Sequence, residues 1–346
     1  MQFTILQSVY KKDNPLFLDE CLQSIRDSTL LPKKIVLVKD GLLPLELEEC
    51  IQKWSGLLPL HVVGYEKNKG LAHALNHGLQ FVETELVARM DSDDICYPDR
   101  FEKQVLQFEV DKKLVVLGAG IEEFYCGKEL EASHHSIRLY PKRTVRSSMT
   151  LYKGTPVAHP TVMMRTAILK EFGYAESTCC NEDIELWFRL LAAGYEIRTL
   201  QAPLLRFRIT DGTFRRRSLA KSLDEFQIYS RALLDFNGLQ KEHAYLLFRL
   251  ASRLLSPALI RRIYFSGKRK NLFLEDLMRI KSVHGQVFMK SGHLFEALVE
   301  YEEDGITMIK AVQLDCKSQS DNIVEVPLSE IHLYSLRRST EIQLSV

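Results

Sequence analysis

The first hundred residues of this 346-residue chain alternate short apolar runs with helical patterns, and that alternation constrains the fold more than any other feature. Phe3 to Gln7 reads as a strand. Asp13-Asn14-Pro15 is a helix start, a capping residue followed by proline in the first turn, and Leu18, Cys21, Leu22 and Ile25 then recur at helical spacing. The run Ile35 to Val38 stops at the turn Lys39-Asp40-Gly41, and a second helix is expected over about 44–54. Leu60 to Tyr65 is another strand, Leu71 to Val82 another helix, and Leu86 to Met90 a short strand running directly into Asp91-Ser92-Asp93-Asp94. Strands separated by helices of this length imply an α/β fold, a mostly parallel sheet with helices on both faces.

Such sheets bind ligands beyond the carboxyl ends of their strands. Those ends carry Ser8-Val9-Tyr10, Asp40-Gly41 and Asp91-Ser92-Asp93-Asp94, so three polar clusters distant in sequence should converge at one rim. Three carboxylates within four residues repel one another unless a cation sits between them. Magnesium or manganese, held by one or two carboxylates plus substrate phosphates, suits this short cluster better than calcium with its larger cage. The bland alternative is a solvated acidic turn. Its place after a buried-looking strand and before Tyr97-Pro98-Asp99-Arg100 favours the cation site.

Composition narrows the class. With 46% hydrophobic and 26% charged residues the chain is an ordinary folded protein, neither disordered nor a disulfide scaffold. Net charge is +1, which gives no global field that would select nucleic acid. The sum hides an uneven distribution: residues 206–290 hold 18 basic against 7 acidic residues, and residues 291–346 hold 4 against 10. The seven cysteines are odd in number and lack paired CxxC spacing, so a reducing cytoplasm is expected and a zinc site is not. The N-terminus has no signal-peptide pattern, and no run reaches the roughly 18 apolar residues of a membrane span.

Beyond residue 115 the pattern is mixed. His159-Pro160-Thr161 stands out, and a helix is expected from Glu182 to Ala193, closed by Gly194. From Asp224 to about Lys290 the chain reads as helical and basic. Leu294 to Tyr301 and Ile306 to Leu314 read as strands joined through Asp304-Gly305, a hairpin signal. The expected organisation is therefore a catalytic domain over 1–220 (a first half 1–105, a second 106–220), a basic helical extension over 221–290 and a small β-rich module over 291–346.

The ordered motifs resemble a known family. Ser8-Val9-Tyr10, IVLVKDG at 35–41, Asn68-Lys69-Gly70-Leu71 with Ala74-Leu75-Asn76, and ARMDSDDICYPDRFEKQ at 88–104 are similar to the nucleotide-sugar half of family 2 glycosyltransferases with the Rossmann-like GT-A fold. HPTVMMR at 159–165 and Asn181-Glu182-Asp183 with Leu186-Trp187-Phe188-Arg189 resemble that family's acceptor side, so the likeness covers about residues 1–215. Within the family it is nearest to bacterial exopolysaccharide, capsule and lipopolysaccharide enzymes of the amylovoran-biosynthesis type.

The resemblance implies roles. Asp40 would accept a hydrogen bond from the nucleotide base, with Ser8 and Tyr10 lining the same pocket and Asn68 and Lys69 near the phosphates. Lys39 stands where a second aspartate is commoner; a uridine diphosphate donor is nevertheless the first expectation. Asp91 and Asp93 match the DxD pair that holds Mn²⁺ or Mg²⁺, with Asp94 assisting. Asp183 would be the general base of an inverting displacement, beside Glu182, His159 and Trp187 on the acceptor side. From spacing alone Glu182 and Asp183 are equally well read as acids at a helix N-terminus, and Trp187 as a core aromatic. An arginine near Arg206–Arg208 or Arg215–Arg217 would replace a histidine that relatives carry against the metal or diphosphate.

The resulting expectation is an inverting, metal-dependent glycosyltransferase moving a sugar from a nucleotide donor to a saccharide, lipid-linked acceptor. It would be cytoplasmic, touching the inner face of the membrane through the basic region 206–290, where Tyr245 to Phe265 mixes apolar and cationic residues. Two alternatives stand beside it: a nucleotidyltransferase, which would carry a Gly-rich, Arg-containing loop after the first strand where this chain has Ser8-Val9-Tyr10-Lys11-Lys12, and an inert saccharide-binding or scaffold subunit.

Overall fold

The computed structural model describes residues 1–126, 135–146, 155–177, 181–210 and 219–238, together with the backbone of five later strands between 286 and 338. The chain divides into two compact units, Met1–Met278 and Arg279–Val346.

The first unit opens with β1 (Phe3–Val9), α1 (Pro15–Arg26), β2 (Lys34–Asp40), α2 (Leu45–Ser55), β3 (Leu60–Tyr65), α3 (Leu71–Leu79) and β4 (Leu86–Arg89). These match the expected alternation to within a few residues. Helix α1 begins as its sequence requires: the Asn14 Oδ1 accepts the Leu16 N–H at 2.9 Å and Pro15 occupies the first turn.

The second half supplies β5 (Ile95–Cys96), α4 (Arg100–Val110), β6 (Val116–Tyr125), β7 (His135–Arg138), β8 (Arg143–Thr144), a 3₁₀ turn at His159–Thr161, β9 (Met163–Arg165), α5 (Thr166–Phe172), α6 (Glu182–Ala192), β10 (Ile197–Ile209) and α7 (Leu219–Asn237). The sheet order is β3-β2-β1-β4-β9-β6-β10-β5, with β7 on β6 and β8 on β10. Strands β3, β2, β1 and β4 run parallel, as do β6 and β10. Strand β9 runs antiparallel to both β4 and β6 and joins the two parallel sets.

Period-two alternation sends neighbouring residues to opposite cores. Ile5, Ile35 and Leu37 pack with Leu18, Leu22, Leu47, Trp54, Phe101 and Phe108 under α1, α2 and α4. Leu6, Val36 and Val38 face the other way, onto α3, α6 and α7. Helix α3 approaches the sheet so closely that a Cβ on Gly78 would meet Val38 at 2.5 Å and Leu6 at 2.6 Å. The loop before α3 meets the end of β2, where the main-chain amides of Lys69 and Gly70 donate to Asp40.

Helix α7 is the described helix of the expected basic extension over 221–290, whose last residues, Gln286–Lys290, form a strand instead of continuing the helical pattern. Helix α7 packs on α6: Tyr229 is fully buried with its ring edge-on to Phe188 at 5.3 Å, and Asn181 donates to Asp224 at 2.8 Å. The expected helix over Tyr245–Phe265 lies outside the described residues. No helix among the described residues is long and apolar enough to cross a membrane.

The second unit contains β11 (Gln286–Lys290), β12 (His293–Glu303), β13 (Ile306–Gln313), β14 (Ile323–Pro327) and β15 (Arg337–Arg338) in one antiparallel sheet of order β14-β13-β12-β11-β15. Strands β12 and β13 pair as the expected hairpin; its turn at 304–305 lies outside the described residues.

Candidate active site

The acidic loop follows β4 directly and is held from below by buried cations. Arg89 is buried and gives its guanidinium to the Asp91 carboxylate, to the Met90 carbonyl and, at 3.4 Å, to the Leu6 carbonyl. Arg100, fully buried at the start of α4, donates to the Arg89 carbonyl at 2.7 Å and to Gln104 at 3.2 Å, and burial brings its guanidinium down to about 10. The Asp91 carbonyl accepts from Gln7 Nε2 at 3.2 Å and from the Cys21 thiol at 3.3 Å. Burial pushes that thiol well up, which makes it an inert core group.

Ligand oxygens of Asp91, Asp93 and Asp94 all lie within 4.8 Å of one another. Asp94 is almost fully buried: Oδ1 accepts the Arg208 N–H at 2.9 Å, and Oδ2 has no hydrogen-bond partner. Burial, then Asp91, then Asp93, holds its carboxyl well above the usual carboxylate range. An orphaned buried oxygen beside two like-charged carboxylates is a costly arrangement. A hard divalent cation with a preference for oxygen fits this donor set, which contains no nitrogen or sulfur.

At the end of β2, Gly41 has φ +91° and lies so close to the backbone of Asn68 that a Cβ would meet its nitrogen at 2.8 Å. Here the buried Asp40 carboxylate accepts from Asn68 Nδ2 (2.8 Å), Lys69 N (2.7 Å) and Gly70 N (3.0 Å). Asp40, Asn68 and Lys69, expected at one pocket, therefore do meet. Lys69 Nζ stands 5.2 Å from the Tyr65 ring centroid. Lys39 turns away to Glu48 of α2 at 2.9 Å. Ser8 and Tyr10 lie half-buried at the end of β1, and Asp13 joins that end to the acidic loop: its Oδ2 accepts both Tyr10 N (3.1 Å) and Ser92 Oγ (2.9 Å).

Of the residues expected to face an acceptor, Glu182 is buried and Asp183 half-buried in the first turn of α6, where the helix dipole favours both carboxylates. His159 is buried, with Nε2 at 3.0 Å from the Tyr174 hydroxyl, and burial followed by Arg89 holds its imidazole well below the usual value. Burial raises the Tyr174 phenol; Arg89 acts against that rise, while Glu182, Asp183 and Asp91 add to it. One side chain thus senses carboxylates from both the acidic loop and α6. Trp187 is fully buried with its ring 6.0 Å from His159, so it presents no face on which an acceptor sugar could stack. Its four-residue spacing from Asp183 reflects the core stripe of α6, not a second site residue.

Sequence reading passed over Gln7, Asp13, Arg89 and Tyr174. Only Arg89 carries a local signal, a cation within a strand that ends in aspartates. The arginine expected at the metal or diphosphate is also placed differently. Arg208 is buried, donates to the Asp93 carbonyl at 2.7 Å and pairs with Glu20, so its guanidinium is turned away from solvent. Arg206 stacks on Phe124 at 4.7 Å, and Arg215–Arg217 lie outside the described residues.

The model of glycosyl transferase family 2 matches residues 5–173. The amylovoran biosynthesis glycosyltransferase AmsE of Erwinia amylovora is 34% identical over 275 residues, 78% of this chain and 99% of that protein. This chain belongs to glycosyl transferase family 2. A second relative in the family, the Escherichia coli UDP-Gal:alpha-D-GlcNAc-diphosphoundecaprenol beta-1,3-galactosyltransferase, is 34% identical over 62% of this chain and 77% of its own length. Among solved structures, the mannosyltransferase PcManGT of Pyrobaculum calidifontis in complex with GDP-Man and Mn2+ aligns with a TM-score of 0.51 at 14% identity, covering 81% of each chain. The fold is GT-A, and the first unit is a glycosyltransferase of a family with members in bacterial polysaccharide biosynthesis. Membership removes the nucleotidyltransferase alternative.

Proposed function

We propose that the protein transfers a sugar from a UDP-sugar to a lipid-linked saccharide by single displacement with inversion, using Mn²⁺ or Mg²⁺ held by Asp91 and Asp93. The observation that carries this reading is the carboxylate cluster of Asp91, Asp93 and Asp94 at the rim, with one buried Asp94 oxygen lacking a partner. A bound divalent cation there supplies Lewis acidity and offsets charge on a diphosphate leaving group. The uridine donor and lipid-linked acceptor draw support from the relative named for a UDP-Gal donor and a diphosphoundecaprenol-linked sugar.

Asp40, already accepting from residues 68–70, would also accept from the base, beside Ser8 and Tyr10. Lys69 and Asn68 border the phosphates. Asp183 takes the proton of the attacking acceptor hydroxyl as its oxygen bonds to the anomeric carbon; the carbon–phosphate oxygen bond breaks on the opposite face and the nucleoside diphosphate leaves with the electron pair. Glu182, the residue before Asp183, and His159, which meets Tyr174, shape the acceptor side. The basic residues of 206–290, apart from the inward-turned Arg208, contact anionic lipid on the inner face of the membrane.

Thermal denaturation with a panel of nucleotides and nucleotide sugars, with and without Mn²⁺, tests the donor. A ligand at 100 times its dissociation constant adds about 2.7 kcal/mol of stability. Metal-dependent stabilisation by UDP and a UDP-sugar is expected; a response to GDP or dTDP compounds alone overturns the uridine assignment.

A further inference from the structure

Arg208 is the penultimate residue of β10, yet it acts on the loop after β4. Strand β5, which begins one residue after Asp94, pairs antiparallel with β10 through Cys96 to Leu205 and Ile95 to Arg206. Continuing that register by two residues sets Arg208 opposite Asp93. Its main-chain N–H then reaches the Asp94 carboxylate at 2.9 Å, and its Nε reaches the Asp93 carbonyl at 2.7 Å. Its Nη2 pairs with Glu20 of α1, and the guanidinium lies 4.0 Å from the Phe17 ring and 4.7 Å from the Phe124 ring. The side chain is 3% exposed, whereas that of Glu20 is 53% exposed.

We propose that Arg208 is a positioning residue that sets the cation affinity of the acidic loop by fixing the backbone of Asp93 and the carboxylate of Asp94 from the second half of the domain. The inference rests on the reading that Asp91 and Asp93 hold a divalent cation. A group contacting the diphosphate would have to reach solvent, and this guanidinium is enclosed between two rings and two acceptors. Only a planar fork serves both Glu20 and the Asp93 carbonyl while stacked between aromatic faces; an ammonium offers neither the fork nor the stacking. Arg89, Gln7 and Asp13 hold the loop at Asp91 and Ser92; without Arg208, repulsion among the carboxylates acts on an Asp93–Asp94 end with less support, and the oxygen spacing a cation needs is loosened there.

Mn²⁺ binding to the 346-residue chain, read from loss of the free-ion electron paramagnetic resonance signal without donor or acceptor, tests this directly. Arg208→Lys is expected to weaken binding about tenfold, as loss of a supporting contact around a metal ligand does. The Mn²⁺ concentration for half-maximal turnover should rise by a similar factor, while kcat at saturating Mn²⁺ recovers to within about threefold of wild type. Glu20→Gln, at a half-exposed position, should shift binding the same way by a smaller factor and carries the test if the lysine variant does not fold. Wild-type Mn²⁺ affinity in the folded variants, with only the melting temperature lowered, overturns the proposal. No Mn²⁺ binding to the wild type overturns the metal reading and this inference together. Binding that is lost in Asp93→Asn but unchanged in Arg208→Lys and Glu20→Gln overturns this inference alone.

Discussion

The two halves of the GT-A unit hold their polar residues in opposite ways. In the first half, Asp40, Asn68, Asp91 and Asp93 stand at or just beyond strand ends: the Asp40 carboxylate takes two main-chain amides and the Asn68 side chain, while the Asp91 carboxylate and the Asp93 carbonyl are held by the guanidinium groups of Arg89 and Arg208. In the second half, His159, Tyr174 and Trp187 are buried among helices, and only Asp183 at the start of α6 is half-open. The first half ends in a rim of turns above a sheet, proposed here to take the donor; the second offers a helix terminus braced by a core, proposed to face the acceptor. Changes in the first half should therefore affect ligands before stability, and changes behind α6 should affect stability before ligands.

The largest expected effect breaks the first half alone. Asp93→Ala should abolish transfer, since cation assistance at a leaving diphosphate contributes several kcal/mol to the transition state, while the melting temperature stays at or above wild type through relief of carboxylate repulsion. Steady-state assays paired with calorimetry check both; a destabilised protein would mean that the cluster is structural. Asp183→Asn comes next, with kcat down about 10²- to 10⁴-fold and Mn²⁺ and UDP binding unchanged. Loss of nucleotide binding in that variant would erase the division between the halves.

Trp187→Ala sharpens the contrast from the other side. A fully buried indole replaced by alanine should cost about 3–5 kcal/mol of stability. The surviving folded fraction should keep its acceptor KM, and a selective rise in KM would restore Trp187 as a sugar platform. The smallest effect is a pH dependence. Burial holds His159 neutral in the fold, so its contribution is complete above the unfolded value near 6.5 and is lost on acidification, by at most about 1.4 kcal/mol per pH unit until the folded value is reached. Chemical denaturation from pH 7.5 to 5 should show this slope, and His159→Gln should flatten it. An identical slope in the variant would place the titration elsewhere.

Much of the first half is legible in the order of its residues. Its strands are short, continuous and separated by helices with caps and turn residues, so each element announces its own limits. Its site residues sit where the chain leaves a strand, a place periodicity can locate. Strands β6 and β10 are harder to see, because their pairing is long-range and nothing near Val116 or Ile197 indicates the partner. Asp13 and Tyr174 are invisible for the same reason: they act through Ser92 and His159, which stand 79 and 15 positions away. Trp187 illustrates the converse, since helical spacing from Asp183 is equally consistent with a site face and a core stripe.

From the sequence alone came the α/β alternation, the three strand ends that meet at one rim, the acidic loop and the likeness to family 2 glycosyltransferases. Local chemistry is enough for these, because caps, turns and strand termini are decided within a few residues. Only the tertiary structure decided which charged groups face the ligand side and which face inward. Arg100 reads as an ordinary cation in the chain and the segment of Arg208 as one open to the metal or diphosphate, yet both, like Arg89, are buried around the acidic loop, where desolvation and the nearest available acceptor govern a guanidinium more than its position in sequence.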